Sequence, residues 1–183
     1  MSRNVRIILL CEDQQHATFV RSFLEKMGWV TRDLRLVLSP TGRGSAEYFV
    51  CNQFPKELRM VRSKRGERAY LIVMVDGDSV GVAKRKASLK AACEEQGMAP
   101  PGDTDNVLIC VPTWNIETWL AYLGGEMVDE ANKGYPKLAR PRECKPLVEE
   151  LVVMCRARAL RPSAPASLED TCASYRRVFT TGT

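Results

Sequence analysis

The sequence has one histidine, His16, in 183 residues, and its seven cysteines include no Cys-x-x-Cys pair. That combination removes the ligand spacing of a zinc site and provides no disulfide framework. The cysteines stand mostly inside apolar runs, as at Leu10-Cys11, Ile109-Cys110 and Met154-Cys155, so they read as small buried hydrophobes kept in a reducing compartment. No apolar run approaches the roughly 20 residues that cross a bilayer, and residues 1–5 lead into a strand instead of a signal-peptide pattern, so a cytoplasmic location is expected. There is no internal repeat, and no glycine spacing of a Walker or dinucleotide-binding loop.

What remains is an ordinary soluble composition. With 45% hydrophobic residues the chain is long enough for one well-buried domain. A net charge of +5 is modest for the length, but the cations cluster. Arg59, Arg62, Lys64, Arg65 and Arg68 lie within ten positions, and Lys84, Arg85, Lys86 and Lys90 follow a little later. Such clusters favour a polyanionic partner, with a solvated helix face as the competing explanation.

Mostly apolar runs at residues 5–11, 34–38, 71–75 and 106–112 read as strands; the third, Leu71-Ile72-Val73-Met74-Val75, is unbroken and has the texture of a strand buried on both faces. Between them, apolar residues recur at three- and four-residue intervals. Ala17, Phe19, Val20, Phe23, Leu24 and Met27 predict one helix, closed by Gly28. Ala46, Phe49, Val50, Phe54, Leu58 and Met60 predict a second, with a break or kink at Pro55. Val82, Ala83, Ala87, Leu89 and Cys93 predict a third, and residues 114–123 a fourth. Strands alternating with helices predict an α/β domain over residues 1–125: an open, mainly parallel four-stranded sheet with helices on both faces. Residues 126–183 read as a helical C-terminal extension packed on or beside it, its last helix opened by a Ser167 cap.

The chemistry-bearing residues stand where these strands end. The first strand runs into Glu12-Asp13 and the third into Asp76-Gly77-Asp78. Open α/β sheets place their ligands at the carboxyl edge. Carboxylates converging there repel unless a cation neutralises them, and Mg²⁺ accepts such ligation. Competing structural readings exist: Asp-Gly is a common turn pair, Asp78 or Ser79 could cap the following helix, and Asp13 is available to cap the one after Glu12. Glu117, opening the helix after the fourth strand, could reach the same edge. Gly42-Arg43-Gly44-Ser45 is either a plain turn or an anion-binding turn to which Arg43 adds charge.

A lone glutamate after the first strand and an Asp-x-Asp after the third resembles the Toprim fold of topoisomerases, primases and OLD-family nucleases, over roughly residues 5–123. In that family the glutamate is usually followed by glycine, where this chain has Asp13. The segment Pro112-Thr113-Trp114-Asn115-Ile116-Glu117-Thr118-Trp119-Leu120 is similar to one in small standalone Toprim proteins of the RloB-like group, often found in bacterial defence loci. The resemblance implies metal-dependent phosphodiester chemistry on nucleic acid, DNA ahead of RNA, with Glu12, Asp76 and Asp78 as catalytic residues and ligands of Mg²⁺ or Mn²⁺. Glu117 and Asp13 are additional acidic candidates. Lys84, Arg85 and Arg43 are expected, from charge and position, to hold the phosphate backbone. Two alternatives stand beside this: a non-catalytic Toprim-like subunit serving a larger complex, for instance with an ATPase partner, and a phosphatase of the haloacid-dehalogenase type. The latter carries Asp-x-Asp on its first strand, whereas here two βα units precede the motif and no later Asp-Asp pair completes it.

Overall fold

The computed structural model describes residues 5–41, 45–63 and 68–180. Its strands are β1 (Arg6–Cys11), β2 (Arg35–Leu38), β3 (Ala69–Met74) and β4 (Val107–Cys110). The helices are α1 (Gln14–Lys26), α2 (Ala46–Ser63), α3 (Gly81–Glu95), α4 (Glu117–Leu123), α5 (Lys145–Ala157) and α6 (Ala166–Thr180), with a 3₁₀ turn at Pro141–Cys144. All strands run parallel, in the order β2-β1-β3-β4. The expected α/β architecture, an open parallel sheet with helices on both faces, is the one found.

Side chains alternate along a strand, so each strand feeds two cores. Ile7, Leu9 and Cys11 of β1, with Ile72 and Met74 of β3, join one core that is completed by α1, α4, α5 and α6. Ile8 and Leu10, with Leu71 and Val73, join the other, covered by α2 and α3. Every residue of β3 is buried, as the unbroken apolar run required. Truncating a fully enclosed side chain such as Leu71 to alanine costs about 2–5 kcal/mol in this kind of environment. The C-terminal region belongs to the same body: α5 lies against α1 and α6 against β4.

Three local expectations need correction. α2 runs unbroken through Pro55, which is buried in the core beside Phe54; the proline removes one backbone donor without ending the helix. The fourth helix begins at Glu117, not at Trp114, whose backbone is left-handed at φ +61° and whose carbonyl accepts a hydrogen bond from the Asp78 amide at 2.8 Å. Ser167 is no cap: it lies inside α6, buried, with its Oγ accepting from Trp119 Nε1 at 2.8 Å and donating to the Glu130 carboxylate. Glu130 instead receives the α6 N-terminal amides of Ala166 at 2.9 Å and Ser167 at 3.3 Å.

The strand order positions the site. From β1 the chain moves outward to β2, then crosses back to β3 and on to β4, so the direction of winding reverses between β1 and β3. Cys11 and Met74 are register partners at the carboxyl ends of these central strands. Whatever follows them meets at the switch point, the crevice where such sheets bind ligands.

Candidate metal centre

Glu12 leaves β1 level with the end of β3, and the Asp76 amide donates to its Oε2 at 3.3 Å. Its carboxyl is pushed up to about 7, first by burial and then by the charge of Asp76, with the His16 charge and the Asp76 amide acting in the opposite sense. A glutamate so placed holds its proton more tightly than one in water until a cation arrives.

Asp13 does become the N-cap of α1. Its extended backbone and its Oδ1, which accepts from the His16 amide at 2.9 Å, start the helix and fix the first turn. That turn carries His16, fully enclosed, with Nε2 3.1 Å from Asp76 Oδ1. Burial pulls the imidazole pKa down, but the hydrogen bond and charge of Asp76, then Asp13 and Glu12, outweigh it and raise the ring to about 9. The shift favours the protonated ring, whose Nε2–H donates to Asp76 in the metal-free protein. Its Nδ1 is buried and has no hydrogen-bond partner among the described residues.

Asp78 sits in a turn built around the glycine before it. The Gly77 amide donates to the Pro112 carbonyl at 2.9 Å, and a Cβ at position 77 would lie only 2.8 Å from that same oxygen. Asp78 itself is left-handed at φ +46°. Val80, at the capping position before α3, makes no side-chain cap, so neither Asp78 nor Ser79 occupies that position. Burial and Asp76 raise the Asp78 pKa, while Arg85 opposes them. Arg85 is buried, with Nε on the Asp76 carbonyl at 2.9 Å and Nη2 on Asp78 Oδ2 at 3.1 Å. Its charge thus braces the acidic turn instead of projecting toward a ligand. Lys84, one residue earlier, is exposed. Arg43 lies outside the described residues.

These placements bring two sets of donor atoms together. Glu12, His16 and Asp76 form one group, and Glu12, Glu47 and Asp78 another, the ligand atoms within each lying within 4.8 Å of one another. Either group could hold a metal ion. The three expected ligands are thus gathered around Glu12, which both groups share. Glu117 belongs to neither: it is buried at the start of α4, which raises its pKa, and it lies near enough to feel Asp76, Lys137 and His16. Asp13 also stays outside both groups, occupied as the cap.

His16 and Glu47 are the residues that the sequence did not single out. The available signal was positional: both stand in the first turn of a helix that follows a strand, and every such junction in a parallel sheet opens on the same edge. The donor set fits a hard divalent cation, since carboxylate oxygens dominate it and a single imidazole accompanies them. No protein-family model, curated protein or solved structure matches the chain.

Proposed function

We propose that this protein is a metal-dependent phosphodiesterase acting on nucleic acid, with a Toprim-like arrangement of Glu12, Asp76 and Asp78 holding Mg²⁺ or Mn²⁺. The observation that supports the reading is the sharing of Glu12 by two donor groups at a switch point, which is the layout that phosphoryl chemistry with one or two cations asks for. When bound, such a cation acidifies a water and takes up charge that develops on the phosphodiester oxygens.

The chain's own residues supply the rest. Glu12 would complete the metal site, and a cation bound there would drive off the proton that its raised pKa of about 7 retains in the metal-free protein. In the metal-free protein His16 Nε2 holds one oxygen of Asp76, and a cation in the group that His16 shares with Glu12 and Asp76 would take the place of that ring proton. Arg85 holds Asp78 and the Asp76 carbonyl together, so the two carboxylates keep their spacing as the cation exchanges. Lys84, exposed on the first turn of α3, is placed to attract the anionic substrate.

The test is incubation of purified protein with plasmid, linear duplex, single-stranded DNA and RNA in Mg²⁺ or Mn²⁺. Nicking or degradation is expected, abolished by chelator and in the Asp76→Ala/Asp78→Ala variant. If the wild type binds nucleic acid and the cation but leaves every substrate intact over hours, the catalytic reading falls and a binding subunit takes its place. Hydrolysis confined to small phosphomonoesters would instead favour a phosphatase.

A further inference from the structure

Outside the acidic centre, a concentration of charge lies in a groove of about 290 Å³ between α1, the outer strand β2 and the turn that leads into α5. Arg21, Arg142 and Lys145 line it, three cations from two chain segments separated by as much as 124 positions. All three are exposed, and none forms an ion pair among the described residues. The one carboxylate of the groove, Glu25, accepts a hydrogen bond from the Thr31 hydroxyl at 2.7 Å, so it is directed to its own helix end and not to the cations. Like charges gathered on a cavity without a counter-ion cost free energy unless an anion is the intended occupant.

The position says which anion. Gln14, the first residue of α1 and only two residues beyond Glu12, lines one end of the groove. Gln15 donates to the Pro141 carbonyl at 3.4 Å, which fastens the Arg142-bearing turn to that same first helical turn. From there α1 runs to Arg21, seven residues or about 10 Å along the helix. A nucleic-acid strand covers that length in roughly three nucleotides at about 3.4 Å rise per residue. The α1 wall of the groove therefore starts two residues beyond Glu12 and carries Arg21 at its far part, while Arg142 and Lys145 stand on the segment fastened to the first turn of α1. Gln14, Thr18 and Ser22 add polar groups to its α1 wall beside Ala17, and Leu9, Leu34 and Leu36 form an apolar floor.

We infer that this groove is the track for the phosphate backbone of the nucleic-acid strand whose scissile bond lies at Glu12, Asp76 and Asp78. The inference rests on the nucleic-acid reading above and adds where the substrate runs: along α1 on the β2 side of the sheet, with Arg21, Arg142 and Lys145 as backbone contacts. Contacts of this kind position a strand without reading its sequence, so they give affinity and register but no base preference.

The experiment is fluorescence anisotropy of labelled 20-nucleotide single strands and duplexes at several salt concentrations, for the wild type and for Arg21→Gln/Arg142→Gln/Lys145→Gln. Each lost phosphate contact removes about 0.7–0.9 from the slope of log K against log salt, so the triple variant should be shallower by about 2 and weaker by at least tenfold near 100 mM salt. An Arg32→Gln/Lys56→Gln/Arg158→Gln variant, which removes the same charge from exposed positions elsewhere, should keep the wild-type slope. The charge-retaining Arg21→Lys/Arg142→Lys/Lys145→Arg variant should keep most of it too, which separates the charge from the fold. Mn²⁺ binding by calorimetry should be the same in all of them. If the glutamine variant retains the wild-type slope while the wild type still cleaves, the groove assignment is overturned and the nuclease reading stands. If the slope is lost in the glutamine variant but no variant or wild type cleaves, the track stands and the catalytic reading falls. Absence of any oligonucleotide binding by the wild type overturns both.

Discussion

At position 77 there is no room for a methyl group, and the obstructing atom is a backbone carbonyl already held by the Gly77 amide. Pro112 cannot recede without losing that hydrogen bond. Gly77→Ala should therefore destabilise the protein by about 1–3 kcal/mol, read as a lower urea midpoint at unchanged m-value, and should weaken Mn²⁺ binding because Asp76 and Asp78 flank the strained peptide. A midpoint equal to the wild type's would mean that the turn relaxes freely. The same residue scale explains what was legible. Glu12, Asp76 and Asp78 announce themselves because each follows an apolar run, and a strand end fixes direction as well as depth. His16 does not, because its place in the site depends on the Asp13 cap setting the first turn of α1, a geometry that one lone histidine in a list of residues does not reveal. Being the only histidine, it gives an unambiguous test. Its ring protons in one-dimensional NMR of the metal-free protein should titrate near pH 9, and a midpoint at or below 6.5 would mean that burial outweighs the Asp76 hydrogen bond and the surrounding carboxylates.

Elements were readable wherever apolar spacing alone decides them. The four strands come from apolar runs, as burial on both faces of a sheet imposes, and the three long helices between residues 14 and 95 from a period of 3.6. What spacing does not carry is the partner that ends or starts an element from far away. α6 begins where Glu130, some 36 residues earlier, accepts the amides of Ala166 and Ser167, and no local signal marks that. Glu130→Ala should therefore cost about 0.5–2 kcal/mol, measurable by chemical denaturation. Ser167→Ala should cost about 1–3 kcal/mol, since it leaves the buried Trp119 indole N–H without its acceptor. Pro55 misleads for the complementary reason: a proline stops a helix by clash and by a missing donor, and α2 tolerates both because its apolar face is pinned under the sheet.

For the whole molecule, the acidic centre couples stability to pH. Between about pH 4.5 and 7 the folded protein keeps a proton on Glu12 that the unfolded chain has released, so stability falls as pH rises through that window. The raised His16 pKa acts in the same direction at higher pH: its contribution is complete below about 6.5 and is lost as pH climbs through about 9. The metal-free protein should thus lose thermal stability steadily from pH 5 to pH 9. Mn²⁺ should reverse the trend above pH 7, where it no longer competes with the Glu12 proton. Melting temperatures across that range with and without Mn²⁺ decide it, and a profile unmoved by the cation would argue against ligation at Glu12.

Glu12 also has a mechanical position. His16 rides on α1, in the layer on one side of the sheet, and Glu47 on α2, in the layer on the other. Occupation of both groups would rivet the two layers through one side chain at the sheet's edge. Amide hydrogens in the first turns of both helices should then slow their exchange in step as Mg²⁺ is added, and exchange that slows in one helix alone would show that only one group is occupied.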